Sequence, residues 1–261
     1  KGLDPEDFTA EIKKNTVGIY IETPSNPLLK IVDLKLISSI AKENGMWTMI
    51  DNTFASPVNQ NPINHGIDIV CHSATKYLGG HSDISAGAVI STKSKIDNIL
   101  NSAKNFGGNL SDYTVWLLER SMKTLLIRVR EQTDNAKVLA KLLDKNNNIS
   151  KVYYPGLESH PTHFVAKKQM NDFGAMMSFD LNNNVDVYSF FKSLKIIKPG
   201  MSLAGIETTV NFPMKTSHGL MSQEERDIQG IGDKLIRLSV GIESHEDLYD
   251  DLLQAINQSI K

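Results

Sequence analysis

Short apolar runs separated by one helical pattern constrain the fold of this chain more than any other feature. Residues 17–22 form one such run, which ends in a turn rich in proline, and residues 47–50 form the next. Between them, Asp33 can cap a helix whose apolar residues recur at helical spacing. The order strand, helix, strand predicts a parallel pair with a right-handed crossover. The first part of the chain is therefore predicted to be α/β.

Further elements continue this pattern along the chain. Strands are predicted at residues 67–71, 86–91, 152–154, 176–181 and 236–240. Helices are predicted at residues 95–103, 111–143, 164–170, 187–194 and 248–256, the last introduced by Ser244. Because long helices commonly connect domains, we place a domain boundary near Thr124. Residues 1–124 then form a large α/β domain, and residues 125–261 form a smaller α+β domain.

Composition excludes several classes of protein. A chain of 261 residues can bury a core, and its net charge of −2 gives no reason to expect a nucleic-acid partner. The apolar runs are too short to span a membrane, and the first residues lack the apolar stretch of a signal peptide. Cys71 is the only cysteine, which excludes an intramolecular disulfide, and we expect it to be a small buried residue. A cytoplasmic enzyme is the default expectation.

One lysine stands where chemistry is expected. Lys76 follows the predicted strand at 67–71, and Asp51 follows the one at 47–50. Open α/β sheets gather ligand-binding groups at the carboxyl ends of their strands, so Lys76 and Asp51 are predicted to converge. Pyridoxal-phosphate chemistry needs such a pair: a lysine that holds the cofactor as a Schiff base, and an aspartate that keeps its ring nitrogen protonated. The alternative for Lys76 is a solvated loop lysine.

The neighbours of Lys76 favour a cofactor site over a solvated loop. Ser73 and Thr75 can donate hydroxyl hydrogen bonds to the cofactor phosphate. Gly79 and Gly80 allow the backbone to approach a ligand closely, because they carry no Cβ atom. We therefore predict pyridoxal 5′-phosphate as the cofactor.

Five motifs run in order along nearly the whole chain. They are Glu22-Thr23-Pro24-Ser25-Asn26-Pro27, Asp51-Asn52-Thr53-Phe54-Ala55-Ser56-Pro57, the stretch from Ser73 to Asp83, Met201-Ser202-Leu203-Ala204-Gly205-Ile206-Glu207 and Ile236-Arg237-Leu238-Ser239-Val240-Gly241-Ile242-Glu243. In this order the motifs resemble those of the pyridoxal-phosphate enzymes of cysteine and methionine metabolism. That family contains cystathionine γ-synthase, cystathionine β- and γ-lyases, methionine γ-lyase and O-acetylhomoserine sulfhydrylase.

The resemblance implies the fold type I architecture of pyridoxal-phosphate-dependent transferases, with residues 1–124 as the C-terminal part of the large cofactor-binding domain. It also implies a preceding portion that supplies a phosphate loop, a tyrosine stacked on the cofactor ring, and a tyrosine–arginine pair that reaches the neighbouring subunit. The chain is therefore expected to be part of a longer protein and, as in the family, a homotetramer. A non-catalytic fragment or assembly partner is the alternative from another functional class.

Arg237 is the candidate for substrate binding. It lies in an otherwise apolar run, where a buried guanidinium is costly without a partner, and its planar fork suits the α-carboxylate of an amino acid. The alternative is an alternating strand with Arg237 on its wet face. The resemblance implies the carboxylate role, with Ser202 as a second hydrogen-bonding group. It also implies that Asn26 lies near the cofactor's phenolic oxygen and the substrate carboxylate.

Met201 bears on which reaction the protein catalyses. In many relatives that act on cystathionine, a glutamate precedes the serine of the Ser-Leu-Gly-Gly motif and can meet the distal ammonium of the substrate. Here that residue is Met201, and Ala204 replaces the first glycine of the motif. An apolar thioether favours a smaller sulfur substrate, such as methionine, homocysteine or cysteine. We therefore predict a C–S lyase of trans-sulfuration, with γ-replacement by a synthase or sulfhydrylase as the alternative.

Other polar residues receive smaller roles. His72, His81 and Asp83 match no usual metal-ligand spacing, so no metal site is predicted. The residues interpreted as lying in loops or anchoring them are His160, His163, His218, Glu207 and Glu243.

Overall fold

The computed structural model describes residues 4–261, which form two sheets and the helices around them. The expectation about a signal peptide falls partly on residues outside this range. The first part of the chain contains α1 (Pro5–Thr9), β1 (Gly18–Glu22), α2 (Leu34–Glu43), β2 (Trp47–Asp51), α3 (Ser56–Asn59), β3 (Ile69–Ser73) and β4 (Gly87–Ile90). A short 3₁₀ helix, Pro62–His65, precedes β3.

The first sheet has the order β1-β2-β3-β4. Strands β1, β2 and β3 are parallel, and β4 runs antiparallel to β3. The predicted parallel pair of β1 and β2 is therefore confirmed. Glu22 stands in register with Asp51, and Asp51 with Cys71, so the three parallel strands end at one edge of the sheet. This edge carries one side of the candidate site.

Helix α2 packs its apolar face against this sheet. The Asp33 side chain accepts hydrogen bonds from the backbone N–H groups of Lys35 and Leu36, which confirms the predicted cap. Ile37 and Ile40 are buried and join a core with the apolar residues of the three parallel strands. Burial of this face holds the crossover on the sheet.

Three helices follow the first sheet: α4 (Lys93–Phe106), α5 (Asp112–Met122) and α6 (Leu125–Asp144). The sequence predicts one helix over residues 111–143, but the structure has two helices, with an interruption near Thr124. The Thr124 hydroxyl donates to the Ser121 carbonyl, and Arg128 binds both that carbonyl and the Thr124 hydroxyl. These side-chain bonds compete with the helical pattern at the break. No helix within residues 4–261 is long and apolar enough to cross a membrane.

The last part of the chain builds the second sheet. Its elements are β5 (Ile149–Tyr153), α7 (His163–Gln169), β6 (Met176–Leu181), α8 (Val187–Ser193), β7 (Lys198–Pro199), β8 (Thr209–Asn211), α9 (Gln223–Gln229), β9 (Leu235–Ser239) and α10 (His245–Asn257). A 3₁₀ turn, Pro213–Lys215, follows β8. The sheet order is β5-β6-β9-β8-β7, antiparallel except for β7 and β8. Sequence periodicity missed β7 and β8, which are too short to show a repeat.

The largest apolar core lies around this second sheet and includes buried residues of α6, α8 and α10. Ser244 caps α10 through the Asp247 N–H, as predicted. Leu29, Phe54 and Tyr77 come from loops of the first sheet and join the same core. Loops of both sheets are therefore held together by apolar burial where the candidate site lies. The domain boundary near Thr124 stays a prediction.

Candidate active site

A cavity of about 280 Å³ lies between the loops of the two sheets. It is lined by Glu22, Asn26, Asp51, Thr53, Phe54, Ser73, Lys76, Met201, Leu203 and Arg237. Six residues singled out from the sequence thus meet at one cavity: Asn26, Asp51, Ser73, Lys76, Met201 and Arg237. They come from positions far apart in the chain, so the fold brings them together.

Lys76 lies in a tight turn directly after β3. Its N–H donates to the Ser73 carbonyl over 3.1 Å, and its own carbonyl accepts from the Gly80 N–H over 2.6 Å. Tyr77 and Leu78, which follow it, are buried and anchor the turn. Partial burial lowers the pKa of the Lys76 amine, and the positive charge of Arg237 lowers it further. A larger fraction of this amine is therefore neutral than for a solvated lysine.

Two carboxyl groups stand at the neighbouring ends of β1 and β2. Asp51 Oδ1 accepts from the Thr53 N–H over 2.9 Å, and Glu22 Oε1 accepts from the Asn26 N–H over 3.1 Å. Glu22 keeps some contact with solvent, but partial burial of its carboxyl raises its pKa. The negative charge of Asp51 raises this pKa further, whereas the hydrogen bond from the Asn26 N–H lowers it. Sequence reasoning missed Glu22 as a cavity residue. Its position at the end of β1, beside Asp51, was the signal available.

Arg237 lies in the middle of β9, all five residues of which are buried. Only 3% of Arg237 is exposed, so the alternative of a wet strand face is wrong and the guanidinium is buried. Burial lowers the pKa of its guanidinium to about 10. Its Nη1 donates to Asn26 Oδ1 and its Nη2 to the Met201 carbonyl, each over 3.1 Å. Both partners are neutral, and no carboxylate of residues 4–261 forms an ion pair with it.

The arginine contacts also define the rim of the cavity. Asn26 sits in the turn after β1 and carries the amide oxygen that orients the guanidinium. Met201 offers its carbonyl to Arg237, while 67% of the residue is exposed. Leu203, two positions further, is buried. Within the described part of the chain, Arg237 thus has no ion-pair partner, and the apolar side chain of Met201 stands at the rim of the cavity.

Two predicted site residues are not brought to the cavity. The Thr75 hydroxyl donates to the Ala86 carbonyl over 3.3 Å and accepts from the Ala86 N–H over 3.0 Å, so backbone groups already engage it. Ser202 is exposed, and its carbonyl accepts from the Thr209 hydroxyl over 3.0 Å. Among the described residues, neither lines the cavity, whereas Ser73 does. Local backbone pairing accounts for the difference at Thr75.

Several minor expectations are corrected. Cys71 is only partly buried, and burial raises the pKa of its thiol. His160 lies in a loop, as predicted, and is buried, whereas His163 is the first residue of α7 and is also buried. Their rings hydrogen-bond to the Leu28 and Pro155 carbonyls. Glu243 does anchor a loop, since it accepts from the Thr208 N–H and hydroxyl. Within residues 4–261, no group of three or more His, Cys, Asp or Glu side chains is placed to hold a metal ion.

Comparison with known proteins connects this geometry to a family. The family model described as "Cys/Met metabolism PLP-dependent enzyme" matches residues 1–257. A cystathionine beta-lyase of Lactococcus lactis subsp. cremoris (strain MG1363) is 45% identical over 254 residues, which are 97% of this chain and 67% of that protein. The chain thus spans about two thirds of the length of this relative.

Solved structures agree with the family match. A cystathionine gamma-lyase from Lactobacillus plantarum complexed with L-serine superposes with a TM-score of 0.96 and 39% identity over 99% of this chain and 68% of that one. A cystathionine gamma synthase from Xanthomonas oryzae pv. oryzae in complex with cystathionine gives a TM-score of 0.94 and 40% identity over 99% of this chain and 67% of that one. Both have the same mixed α/β architecture across the described residues. The chain therefore belongs to the family of pyridoxal-phosphate-dependent enzymes of cysteine and methionine metabolism.

Proposed function

We propose that the protein is a pyridoxal-phosphate-dependent C–S lyase that acts on a sulfur amino acid. The observation that carries this proposal is the cavity shared by Lys76, Asp51 and Arg237. An amine of lowered pKa, a carboxylate and a buried guanidinium without an anionic partner are the groups that such a reaction requires. The lyase names of relatives with extensive identity support the same reaction class.

The side chains at the cavity fit the family's cofactor. Lys76 would hold its aldehyde carbon, Asp51 would face its ring nitrogen, and the Ser73 hydroxyl would bind its phosphate. Thr75 can take part in phosphate binding only if its hydroxyl exchanges the Ala86 backbone for the cofactor. When bound, pyridoxal phosphate supplies a cationic ring that accepts the electron pair left as the Cα–H bond of the substrate breaks.

Arg237 supports the binding of an amino acid. Its two hydrogen bonds to neutral oxygens leave the positive charge without compensation in a buried strand. The α-carboxylate of a substrate would supply that compensation, and the guanidinium fork would fix its plane. Asn26 would hold the guanidinium, and Ser202 would add a hydrogen bond if its exposed side chain turned toward the cavity.

Lys76 would also move the protons of the reaction. Burial and the Arg237 charge lower the pKa of its amine, so Nζ can take the Cα proton of the substrate as a general base. Nζ can return that proton to carbon or to the departing sulfur. Loss of a thiol from Cβ would be β-elimination, and loss from Cγ would need a second proton removal at Cβ.

A substrate panel tests the proposal. The purified protein is supplied with pyridoxal phosphate and separately with cystathionine, methionine, homocysteine or cysteine, and pyruvate, 2-oxobutyrate, sulfide and thiol are measured. We expect a 2-oxo acid and a sulfur product in equal amounts. We expect Lys76→Ala to abolish both, together with the absorbance of bound cofactor. Lys93→Ala is the control, because this lysine is exposed and its ion-pair partner within residues 4–261 is the exposed Asp97.

Two other results would contradict the proposal. Normal turnover by Lys76→Ala would disprove the lysine assignment. A parent protein that neither binds pyridoxal phosphate nor forms a 2-oxo acid would favour the non-catalytic role, as a fragment or assembly partner.

A γ-replacement reaction is the second candidate. The similarity to a cystathionine gamma synthase supports it. The exposed thioether of Met201 at the cavity argues against strong recognition of cystathionine. Incubation with an activated homoserine ester and cysteine or sulfide separates the two reactions, since a replacement enzyme joins these substrates whereas a lyase releases a 2-oxo acid.

We further propose the domain organisation and assembly that the family resemblance implies, together with the cytoplasmic location that is the default expectation from the sequence. Residues 1–124 would contribute to the large cofactor-binding domain of fold type I, and residues 125–261 would form the smaller domain. Homotetramer formation is supported by helices α4 and α5, which bury almost none of their apolar side chains within the chain. Analytical ultracentrifugation tests the assembly, and cell fractionation tests the cytoplasmic location.

A further inference from the structure

Helix α6 carries a buried polar face that the proposed reaction does not yet use. Arg128, Gln132 and Asn135 lie on this face at helical spacing, with 6%, 0% and 4% of each residue exposed. Their side chains donate hydrogen bonds to backbone carbonyls outside α6. Buried polar groups of this kind stabilise one arrangement of the segments they contact, because a displaced donor or acceptor would remain unpaired.

Arg128 holds the turn that carries Lys76. Its Nη1 donates to the Tyr77 carbonyl over 3.0 Å and its Nη2 to the Leu78 carbonyl over 3.5 Å. These are the two residues directly after Lys76. Gly80 has φ of +70°, and a Cβ atom there would clash with Arg128 Nη1. The turn is therefore shaped to admit this guanidinium.

Gln132 and Asn135 hold the opposite side of the cavity. Gln132 Nε2 donates to the Gly205 carbonyl over 2.6 Å and to the Val240 carbonyl over 3.1 Å. Gly205 belongs to the loop that begins with Met201, and Val240 follows the strand of Arg237. Asn135 Nδ2 donates to the Gly241 and Glu243 carbonyls over 3.2 and 2.8 Å.

The Lys76 turn and the Met201 loop, which α6 contacts, are also hydrogen-bonded to each other. The Gly80 carbonyl, in the lysine turn, accepts from the Ile206 N–H over 3.0 Å, in the Met201 loop. Ile206 in turn offers its carbonyl to the Ile242 N–H over 2.9 Å, just past β9. A continuous chain of contacts thus runs from the Lys76 turn to the end of the Arg237 strand, with α6 behind it.

We propose that Arg128 and Gln132 are positioning residues, which set Lys76 at a fixed place relative to Arg237 through this face of α6. The inference rests on the proposed function, because it assigns roles to Lys76 and Arg237. Lys76 follows a strand of the first sheet and Arg237 lies in a strand of the second. The distance between them therefore depends on the contacts that join the two sheets. Displacement of a reacting group by about 1 Å can lower a rate about a hundredfold.

The test compares Arg128→Met and Gln132→Met, which keep the approximate length of each side chain and remove its donors. Arg128→Met should lower kcat about tenfold, since it frees the Lys76 turn, and should shift the pH midpoint of the cofactor absorbance. Gln132→Met should instead raise KM about tenfold with a smaller change in kcat, since it frees the Arg237 side. The control is Thr133→Val, which removes a buried bond from Asn59 on another face of α6.

Hydrogen exchange without cofactor supplies a second measurement. The Gly79 and Gly80 amides should exchange faster in Arg128→Met, because they bond within the lysine turn, to Ala74 and Lys76. The Ile206 amide should respond more to Gln132→Met. Arg128→Lys and Gln132→Asn replace the first variants if those do not fold, with the same expected directions and smaller effects.

The outcomes separate this inference from the proposed function. Variants that lose thermal stability but keep the parent's kcat, KM and absorbance midpoint would overturn the positioning role, as would Thr133→Val reproducing the same kinetic changes. A parent without lyase activity would overturn the proposed function. In that case hydrogen exchange decides the inference. Equal exchange rates in the two variants at the Gly79, Gly80 and Ile206 amides would overturn it. Faster exchange of Gly79 and Gly80 in Arg128→Met, and of Ile206 in Gln132→Met, would support it.

Discussion

The two sides of the candidate site hold their charges in different ways. On the side of the first sheet, Asp51 and Lys76 lie at strand ends or directly after them, and neighbouring backbone groups orient them. On the side of the second sheet, Arg237 lies inside a fully buried strand. It is oriented by Asn26 and Met201, which lie 211 and 36 positions away from it along the chain. Short-range turns thus form one side, and long-range contacts form the other.

This difference suggests a division of roles. The first side holds an amine and carboxyl groups that can move protons or stabilise a cofactor. The second side holds a fixed positive charge and the apolar opening at Met201, which can recognise a substrate. Substitutions on the first side should therefore act mainly on turnover, and substitutions on the second side should act more on binding and specificity.

The largest effect is expected from Asp51→Asn, which removes the negative charge that we propose faces the cofactor's ring nitrogen. We expect kcat to fall at least about a hundredfold, because preorganised electrostatic partners commonly contribute several kcal/mol. Steady-state kinetics with saturating pyridoxal phosphate measures this. Asp68→Asn is the matched control, since Asp68, the residue before β3, accepts from the Thr48 N–H and from Lys95 of α4 and does not line the cavity. A kcat within a factor of a few of the parent would mean that Asp51 only ends a strand.

Arg237→Ala should lower kcat/KM by roughly thirtyfold, equivalent to about 2 kcal/mol for a charge-assisted hydrogen bond. We expect a raised KM and a smaller fall in kcat, because a tilted substrate misaligns the bond to be broken. Arg237→Lys should recover only part, since an ammonium cannot present the same fork. Substrate analogues without the carboxylate provide the decisive comparison. If they lose as much rate as amino acids do, Arg237 does not bind the carboxylate.

Met201→Glu should change specificity more than rate. A glutamate at this exposed position would meet the distal ammonium of cystathionine, so preference should move toward cystathionine and away from methionine or homocysteine. We expect a shift of about 1 to 2 kcal/mol in relative kcat/KM, as for a partly solvated charge contact. The measurement is the ratio of the two specificity constants in parent and variant. An unchanged ratio, or a parent that already strongly favours cystathionine, would show that Met201 does not face the distal group.

The smallest effect concerns the backbone of the second side. Gly80 in the lysine turn has φ of +70°, whereas Ala204 in the Met201 loop has φ of +64° with a side chain. Ala204→Gly should change the free energy of unfolding by less than about 0.5 kcal/mol, because relief of left-handed strain offsets the lost buried methyl group. Urea denaturation measures this.

Ala136→Gly in α6 is the matched control, since both alanines are fully buried. It should cost about 1.5 kcal/mol, because a helical glycine adds its propensity penalty to the lost methyl group. Equal losses at both positions would mean that Ala204 carries no left-handed strain.

Much of the site could be predicted because its first side depends on local signals. Asp33 caps α2 as its sequence context indicates, and Asp51 and Lys76 occur where apolar strands end. The same reasoning could have identified Glu22 as a cavity residue, since it ends the strand beside Asp51. Thr75 was assigned to the phosphate on residue type, but its hydroxyl is engaged by the Ala86 backbone, which a linear pattern does not reveal.

The sequence by itself determined the α/β order, the lysine and aspartate at strand ends, and the family resemblance, because periodicity, capping and motif spacing act between near neighbours. Only the tertiary structure decided that Arg237 is buried with neutral partners and that α6 contacts both sides of the site. These outcomes depend on contacts between distant parts of the chain. Such contacts follow from how the two sheets pack together, and patterns between near neighbours in the sequence do not reveal that packing.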